Sequence, residues 1–271
     1  MTHFTATDEP KGPYRWVVLC GVWLIYFSFG LTVAALGPLV TPITDDLKMT
    51  FGEMGTVLGA WPLIYILAAL PCGFLIDRIG PRHGLFIAAV IMGLSGLLRG
   101  AADTHLTLFL AVAIFGLGGP LISIGAPKVI ALLFQGKNRG LAMGIYITGP
   151  GLGGVIAAST TNSVLLPFFD ENWRLVVGAY GFFTLFSGLM WLLLSQNAAG
   201  KIIKSAVSET TKESIPKTFK RLATIPTVQL VLALSIGIFF INHGLNNWLP
   251  EIIRARGLSA ASAGYWASIP T

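Results

Sequence analysis

Long apolar stretches alternate with short polar segments along most of the chain. Each stretch has about the 20 residues that a helix needs to cross a bilayer. The stretches are continuous rather than alternating residue by residue, so they do not match the strands of a membrane barrel. The pattern predicts spans at 16–40, 55–76, 84–102, 106–134, 140–167, 175–195 and 228–250, with an eighth starting near Ser259.

The polar segments predict how the spans are grouped. Residues 1–15 are polar, and 196–227 is the only long polar connection, with six Lys and Arg residues. We therefore expect a six-helix bundle at 16–195, a linker at 196–227 and part of a second bundle at 228–271. With the eighth span cut short, the natural protein is expected to continue beyond Thr271.

Composition and charge agree with a membrane protein. Hydrophobic residues make up 54% of the chain, charged residues only 11%, and mean hydropathy is +0.74. Soluble domains carry about 25% charged residues, so an ordinary soluble enzyme or nucleic-acid-binding domain is not expected. Twelve Lys and Arg residues fall on the side of the N-terminus and five on the other side. This bias predicts a cytoplasmic N-terminus and a multi-pass protein of the plasma membrane.

One polar connection carries a recognisable motif. Between the second and third spans the chain has the sequence GFLIDRIGPRHG, from Gly73 to Gly84. It resembles the G-x-L-x-D-R-x-G-R-[RK] signature of the major facilitator superfamily, with Pro81 displacing the last basic residue by one place. In that family the loop acts as a conformational latch between two helical bundles. The matching residues are Gly73, Asp77, Arg78, Gly80 and Arg82. The alternative is a tight turn whose charges only set topology.

The resemblance implies both fold and function. It implies an all-α integral membrane protein with the major facilitator fold, including a complete N-terminal bundle and the start of the C-terminal one. By resemblance, the two bundles rock about a midplane site that carries a small solute by alternating access. The run from Asn246–Glu251 through Ala263–Trp266, with Pro127 and Lys128 in the fourth span, is also similar to the cyanate-permease-like branch. The implied partners are a small-molecule substrate, the lipid bilayer and a coupling ion, with no cofactor and a monomeric protein.

The fifth predicted span contains a glycine-rich element. The segment Gly149-Pro150-x-x-Gly153-Gly154 resembles the G-P-x-x-G-G element found in the same family. Small residues let helix backbones approach closely, and a proline bends the helix. We expect these residues to serve helix packing, and they give no ground for assigning antiport.

Lys128 lies inside the fourth predicted span. A lysine within a membrane usually faces a bundle interior or a watery cavity, where it can bind an anion or form an ion pair. It lies only six residues before Phe134, so its ammonium could also reach the membrane surface. An anion site and a snorkelling or paired lysine therefore both remain open. The anion site predicts that Lys128→Ala abolishes anion transport without reducing expression.

The seventh span carries four polar side chains over about 140° of one face. Asn242 and Asn246 lie one turn apart, as do His243 and Asn247. Such groups need polar partners inside a membrane, which a substrate cavity would supply. The candidate substrate-binding residues are Lys128, Tyr26, Tyr65, Tyr146, Asn242, His243 and Asn246. Packing, or hydrogen bonding near the membrane surface, is the alternative for each.

Motifs typical of several enzyme classes are absent from the sequence. The sequence has no nucleotide-binding P-loop, no metalloprotease motif and no nucleophile elbow, so neither catalytic residues nor a metal site is expected. Arg99, at the outer end of the third span, is interpreted equally well as a gate charge or a topological exception. The sequence predicts a transporter of a small anion. A transporter of neutral solutes or drugs, and a transport-inactive scaffold, remain as alternatives.

Overall fold

The computed structural model describes residues 12–196 and 223–270, and within those ranges it contains helices and no strands. The helices are α1 (Tyr14–Ala34), α2 (Val40–Leu47), α3 (Phe51–Gly100), α4 (His105–Leu133), α5 (Gly136–Thr160), α6 (Leu166–Phe168), α7 (Trp173–Leu194), α8 (Pro226–Arg254) and α9 (Ala260–Ala267). A π-helical turn, Thr161–Leu165, joins α5 to α6. Most of the predicted linker, 197–222, and residues 1–11 lie outside the described ranges.

Helix α3 contains the second and third predicted spans. Gly80 interrupts it with φ 80° and ψ 156°, a conformation that favours glycine. A Cβ on Gly84 would lie 2.9 Å from the side chain of Ile76, so the chain folds back on itself at this point. The parts on either side of Gly80 each have the length of a membrane span.

The first predicted span is too long by several residues. Helix α1 ends at Ala34, and the separate short helix α2 starts at Val40. The intervening segment contains Gly37 and Pro38, and a proline disfavours helical backbone in the residue before it. Apolar side chains continue through this break, so hydropathy alone does not reveal it.

The first six spans pack around α1. Helix α1 contacts α5 and α7, while α3 packs along α4 and α7. We call the two ends of this bundle the Gly80 end and the α2 end. The Gly80 end holds the start of α1 and the end of α7, where the Tyr14 hydroxyl donates to the Leu194 carbonyl at 2.8 Å. The α2 end holds α2, the end of α3 and the start of α7.

Helix α8 contacts the bundle over only part of its length. Its first turns are apolar and exposed, as Leu230, Ile236 and Ile241 show. Its last turns approach α1 and α2, where Asn247 and Pro250 are buried. Helix α9 packs on α5, because Gly264 lies so close that a Cβ there would be 2.3 Å from the Ala158 carbonyl oxygen.

Candidate functional site

A cavity of about 240 Å³ lies where α8 and α9 meet the first six spans. Helices α1 and α5 form one side of it and α8 the other. The lining residues are Phe29, Gly30, Val33, Ala34, Pro38, Pro150, Gly151, Gly154, Ala158, His243, Asn246, Asn247, Pro250 and Ala267. None of these residues carries a carboxylate, and no cluster able to hold a metal ion occurs in the described part of the chain.

The polar lining comes from α8. Of the predicted residues, His243 and Asn246 line the cavity, together with Asn247. The side chain of Asn242 lies outside those that the structure describes. One turn of α8 therefore supplies amide and imidazole groups to a cavity whose other walls are mostly apolar or glycine.

Aromatic rings connect the predicted tyrosines to this cavity. Tyr26 packs edge-on against Tyr146, with ring centroids 5.3 Å apart. Trp61 packs against both Tyr65, at 6.1 Å, and His243, at 5.0 Å. Phe29, which lines the cavity, lies between Tyr26 and Trp61. The three tyrosines thus lie behind or beside the cavity wall, and none of them is a lining residue.

Sequence reasoning missed Phe29 and Phe115 as parts of this wall. The two rings stack at 5.4 Å, and Phe115 is fully buried. Phenylalanine is common in every apolar stretch of the chain, so no signal in the sequence distinguished these two. Their role follows only from where α1 and α4 cross.

Lys128 is placed away from the cavity lining. Its ammonium forms an ion pair with the carboxylate of Asp77, from the motif between the second and third spans. Both side chains are partly exposed, at 43% and 32%. The two residues are 51 positions apart, and the packing of α3 on α4 brings them together. This contact favours the pairing alternative, while a substrate role for Lys128 stays a prediction.

The other motif residues lie at the Gly80 end. Arg82 donates from Nε to the Ser195 hydroxyl at 2.9 Å and from Nη2 to the Leu192 carbonyl at 3.3 Å. A cation at the C-terminal end of α7 is favourable because it satisfies free carbonyls and the helix dipole. Arg78 is exposed and Gly73 half-buried. In this structure the motif joins α3 to α4 and α7.

The glycine element lies where α1 and α5 cross. A Cβ on Gly153 would lie 2.3 Å from the Phe27 carbonyl oxygen, and one on Gly149 would lie 3.1 Å from the Phe27 nitrogen. From the other helix, a Cβ on Gly30 would lie 2.1 Å from the Pro150 carbonyl oxygen. Gly154 is buried and lines the cavity. The crossing is close enough that only glycine fits without movement of a backbone.

Charged and aromatic groups join α8 to the α2 end. The Thr41 hydroxyl donates to Glu251 Oε2 at 2.7 Å, and Arg254 contacts both Thr41 and Glu251. Trp248 packs edge-on against Phe51, with centroids 6.1 Å apart. Close by, Asp46 pairs with Arg174.

Hydrogen bonds from Arg174 set the charge state of Asp46. The Arg174 guanidinium, with a smaller contribution from Trp173, holds the pKa of the Asp46 carboxyl below its ordinary value of 3.8, against the opposing effect of burial. Asp46 therefore stays ionised at neutral pH.

Arg99 has an unexpected environment. The sequence is compatible with a gate charge or a topological exception at the outer end of a span, and the structure buries its side chain to 1% exposure. Its Nη1 donates to the Thr32 carbonyl at 3.0 Å, and its Cζ lies 5.0 Å from the ring centroid of Phe115. The signal that could have indicated burial is the small residues around it, Gly96, Gly100 and Ala101.

The comparisons with known proteins identify the family. A family model of the Major Facilitator Superfamily matches residues 22–271. The chain belongs to the Major Facilitator Superfamily. The resemblance inferred from the Gly73–Gly84 motif is thereby confirmed, as is the all-α membrane fold, and the named relatives in this family are transporters rather than enzymes.

Several relatives in this superfamily have names that mention acids. The chain is 24% identical to a probable galactarate/D-glucarate transporter of Escherichia coli, covering 98% of this chain and 64% of that protein. It is 25% identical to a hexuronate transporter of Bacillus subtilis, covering 84% and 54%. It is 27% identical to a gallate transporter of Pseudomonas putida, covering 94% and 62%. The chain thus spans between half and two thirds of the length of these relatives.

A solved facilitator structure has the same fold. A bacterial homolog of the human lysosomal transporter Spinster, in an inward-facing and unoccupied conformation, superposes with a TM-score of 0.76. The two proteins are 21% identical, and the match covers 95% of this chain and 59% of the other. At that identity the likeness supports the fold alone.

Proposed function

We propose that this chain belongs to a secondary transporter that carries a small organic acid anion by alternating access. The observation that carries the proposal is the cavity beside α8, whose lining residues provide amide and imidazole groups and no carboxylate. Amides and a neutral imidazole can donate hydrogen bonds to a carboxylate, whereas a lining acid would repel it. The acids named for the relatives in Escherichia coli, Bacillus subtilis and Pseudomonas putida support the same substrate class.

The proposal keeps the division into two bundles and a linker that the sequence predicts. Residues 16–195 form the first bundle, 196–227 the linker and 228–271 the start of the second bundle. The excess of basic residues on the side of the N-terminus supports a cytoplasmic N-terminus in the plasma membrane. Within the described residues, His243 is the titratable group of the cavity lining, so it is the candidate for coupling to protons.

Uptake into proteoliposomes containing the natural polypeptide tests the substrate class. We expect saturable uptake of radiolabelled galactarate, galacturonate or gallate, with competition among the acids. The matched uncharged compounds, galactitol and methyl gallate, are expected to compete at least tenfold more weakly. Equal competition by the uncharged compounds would favour a carrier of neutral solutes. Absence of saturable uptake of all three acids would overturn the proposal.

A charge swap separates the two roles of Lys128. If its ammonium binds the substrate, Lys128→Ala abolishes uptake and no change at Asp77 restores it. If pairing is what matters, Lys128→Asp combined with Asp77→Lys recovers much of the uptake that either single change removes. The ion pair supports the second outcome.

A further inference from the structure

Arg99 is a buried cation that has no ion-pair partner in the described part of the chain. Its Nη1 donates to the Thr32 carbonyl, while its Nε has no hydrogen-bond partner among those same residues. Arginine remains protonated in proteins, so this site carries a positive charge. Among residues 12–196 and 223–270, no carboxylate lies within ion-pair distance of Arg99, although Lys128, Arg174 and Arg254 each have one.

The groups that do contact Arg99 compensate its charge only in part. The Thr32 carbonyl belongs to the last turn of α1, where the helix dipole is negative. The face of Phe115 adds a cation–π contact at 5.0 Å. Neither group carries a full negative charge, so a positive potential extends from Arg99 into its low-dielectric surroundings.

The aromatic wall places this charge behind the cavity. Phe115 contacts both Arg99 and Phe29: its ring centroid lies 5.0 Å from the guanidinium carbon and 5.4 Å from the Phe29 ring centroid. Because Phe29 lines the cavity, Arg99 lies within about 11 Å of the cavity wall. Phe115 is fully buried, so solvent screens the charge poorly there.

We infer that Arg99 determines the preference for anions by attracting them into the cavity electrostatically, through the aromatic wall and without touching them. This inference deepens the proposed function and rests on it. A unit charge about 10 Å away, at an effective dielectric constant of about 20, changes the local concentration of an anion by roughly tenfold. Arg99 is therefore a specificity-determining residue rather than a ligand of the substrate.

The potential can be measured with a cysteine in the cavity. Gly151 lines the cavity, and a Cβ there would meet no atom within 4 Å, so Gly151→Cys fits without strain. Cys20 and Cys72 are replaced by serine and alanine. The probes are the anionic sulfonatoethyl and the cationic trimethylammonioethyl methanethiosulfonates, and the measured quantity is the ratio of their reaction rates in the purified protein.

Substitutions at Arg99 should change this ratio according to charge. We expect Arg99→Gln, which can still donate to the Thr32 carbonyl, to lower the anionic-to-cationic rate ratio roughly tenfold. Arg99→Lys should stay within about threefold of the parent. An unchanged ratio in the glutamine variant would overturn the inference, as would an equal fall in the lysine variant.

A second site tests the same charge while retaining Arg99. Ser95 lies one turn before Arg99 on α3 and is fully buried, with its hydroxyl 2.6 Å from the Ala111 carbonyl. Ser95→Asp places a counter-charge beside the guanidinium, whereas Ser95→Asn has nearly the same shape without the charge. The aspartate alone should lower the ratio. Equal ratios in the two variants would contradict the inference even if no Arg99 variant folds.

The two proposals fail separately. The reagent ratio requires no transported substrate, so it measures the potential whether or not any acid is taken up. If uptake of all three acids is absent, the proposed function fails and the Arg99 potential still stands on the ratio. If uptake is found but the ratio of reagent rates is unchanged by substitutions at Arg99, the proposed function stands and the role of Arg99 is overturned.

Discussion

The two ends of the bundle differ in what their charged groups bind. At the Gly80 end, Asp77 pairs with Lys128 and Arg82 binds the end of α7, so the charges join elements of the first six spans to one another. At the α2 end, Thr41 binds Glu251 and Arg254 of α8. Within residues 12–196 and 223–270, the polar contacts between α8 and the first six spans are therefore concentrated at the α2 end.

The largest effect is expected at the crossing of α1 and α5, between the two ends. Gly153→Ala places a methyl group 2.3 Å from the Phe27 carbonyl oxygen, so α1 and α5 must separate. We expect a loss of about 1–3 kcal/mol in the free energy of unfolding, measured by SDS-induced unfolding in mixed micelles. Gly151→Ala is the matched control, because both changes gain the same helix propensity and Gly151 faces open space. Equal stability of the two variants would contradict the close crossing.

The next test weakens the contact between α8 and α2 at the α2 end. Glu251→Ala removes the acceptor of Thr41 and the partner of Arg254. A loss of about 1 kcal/mol at this contact should increase the population in which α8 is displaced from α2 about fivefold. Spin-label distances between Leu106→Cys and Ile252→Cys, both exposed positions, measure this population. Asp45→Ala, an exposed acid on α2, is the control. An unchanged distance distribution in Glu251→Ala would show that the contact does not hold the end closed.

A smaller effect is expected at the Gly80 end. A double-mutant cycle with Asp77→Asn and Lys128→Met should give a coupling energy of about 0.5–1 kcal/mol, because the pair is only partly buried. The same cycle with Lys137→Met, an exposed lysine at the start of α5, should give none. The free energy of unfolding is measured in mixed micelles for the wild type, the two single variants and the double variant. Coupling no larger than that of the control would mean that the pair contributes nothing to holding α3 on α4.

The smallest effect concerns pH. Because the folded pKa of Asp46 is lowered by Arg174, its ion pair contributes stability above the ordinary pKa of 3.8 and loses it as the pH falls through the folded pKa. The contribution should be no more than about 0.5 kcal/mol, since the pair is exposed. Asp46→Asn should be slightly less stable than the wild type near pH 7, and the difference should shrink as the pH falls below 3.8 through the folded pKa. A difference that grows as the pH falls would have the wrong sign.

The fold was more accessible to sequence reasoning than the site. Spans follow from the length of apolar stretches, and the turn at Gly80 follows from a local motif. The end of α1 at Ala34 was missed because Gly37 and Pro38 interrupt the helix without interrupting the apolar pattern. His243 and Asn246 could be grouped because they share a helix face.

Other parts of the site depend on contacts between distant segments. The Asp77–Lys128 pair joins residues on α3 and α4 that no local pattern relates. The burial of Arg99 depends on Phe115 and Thr32 meeting from two other helices, and its position at a span end left its role open. Long-range packing decides such environments, so periodicity and motif cannot supply them.

The two faces of α5 differ in how closely they are packed. Gly149 and Gly153 pack tightly against α1, whereas a Cβ on Gly140, Gly144 or Gly151 would meet no atom of the described residues within 4 Å. Small residues along this second face let another helix approach the backbone of α5 while α1 and α5 stay packed together. Helix α5 thus has one face fixed by close packing and one face open to a neighbouring helix.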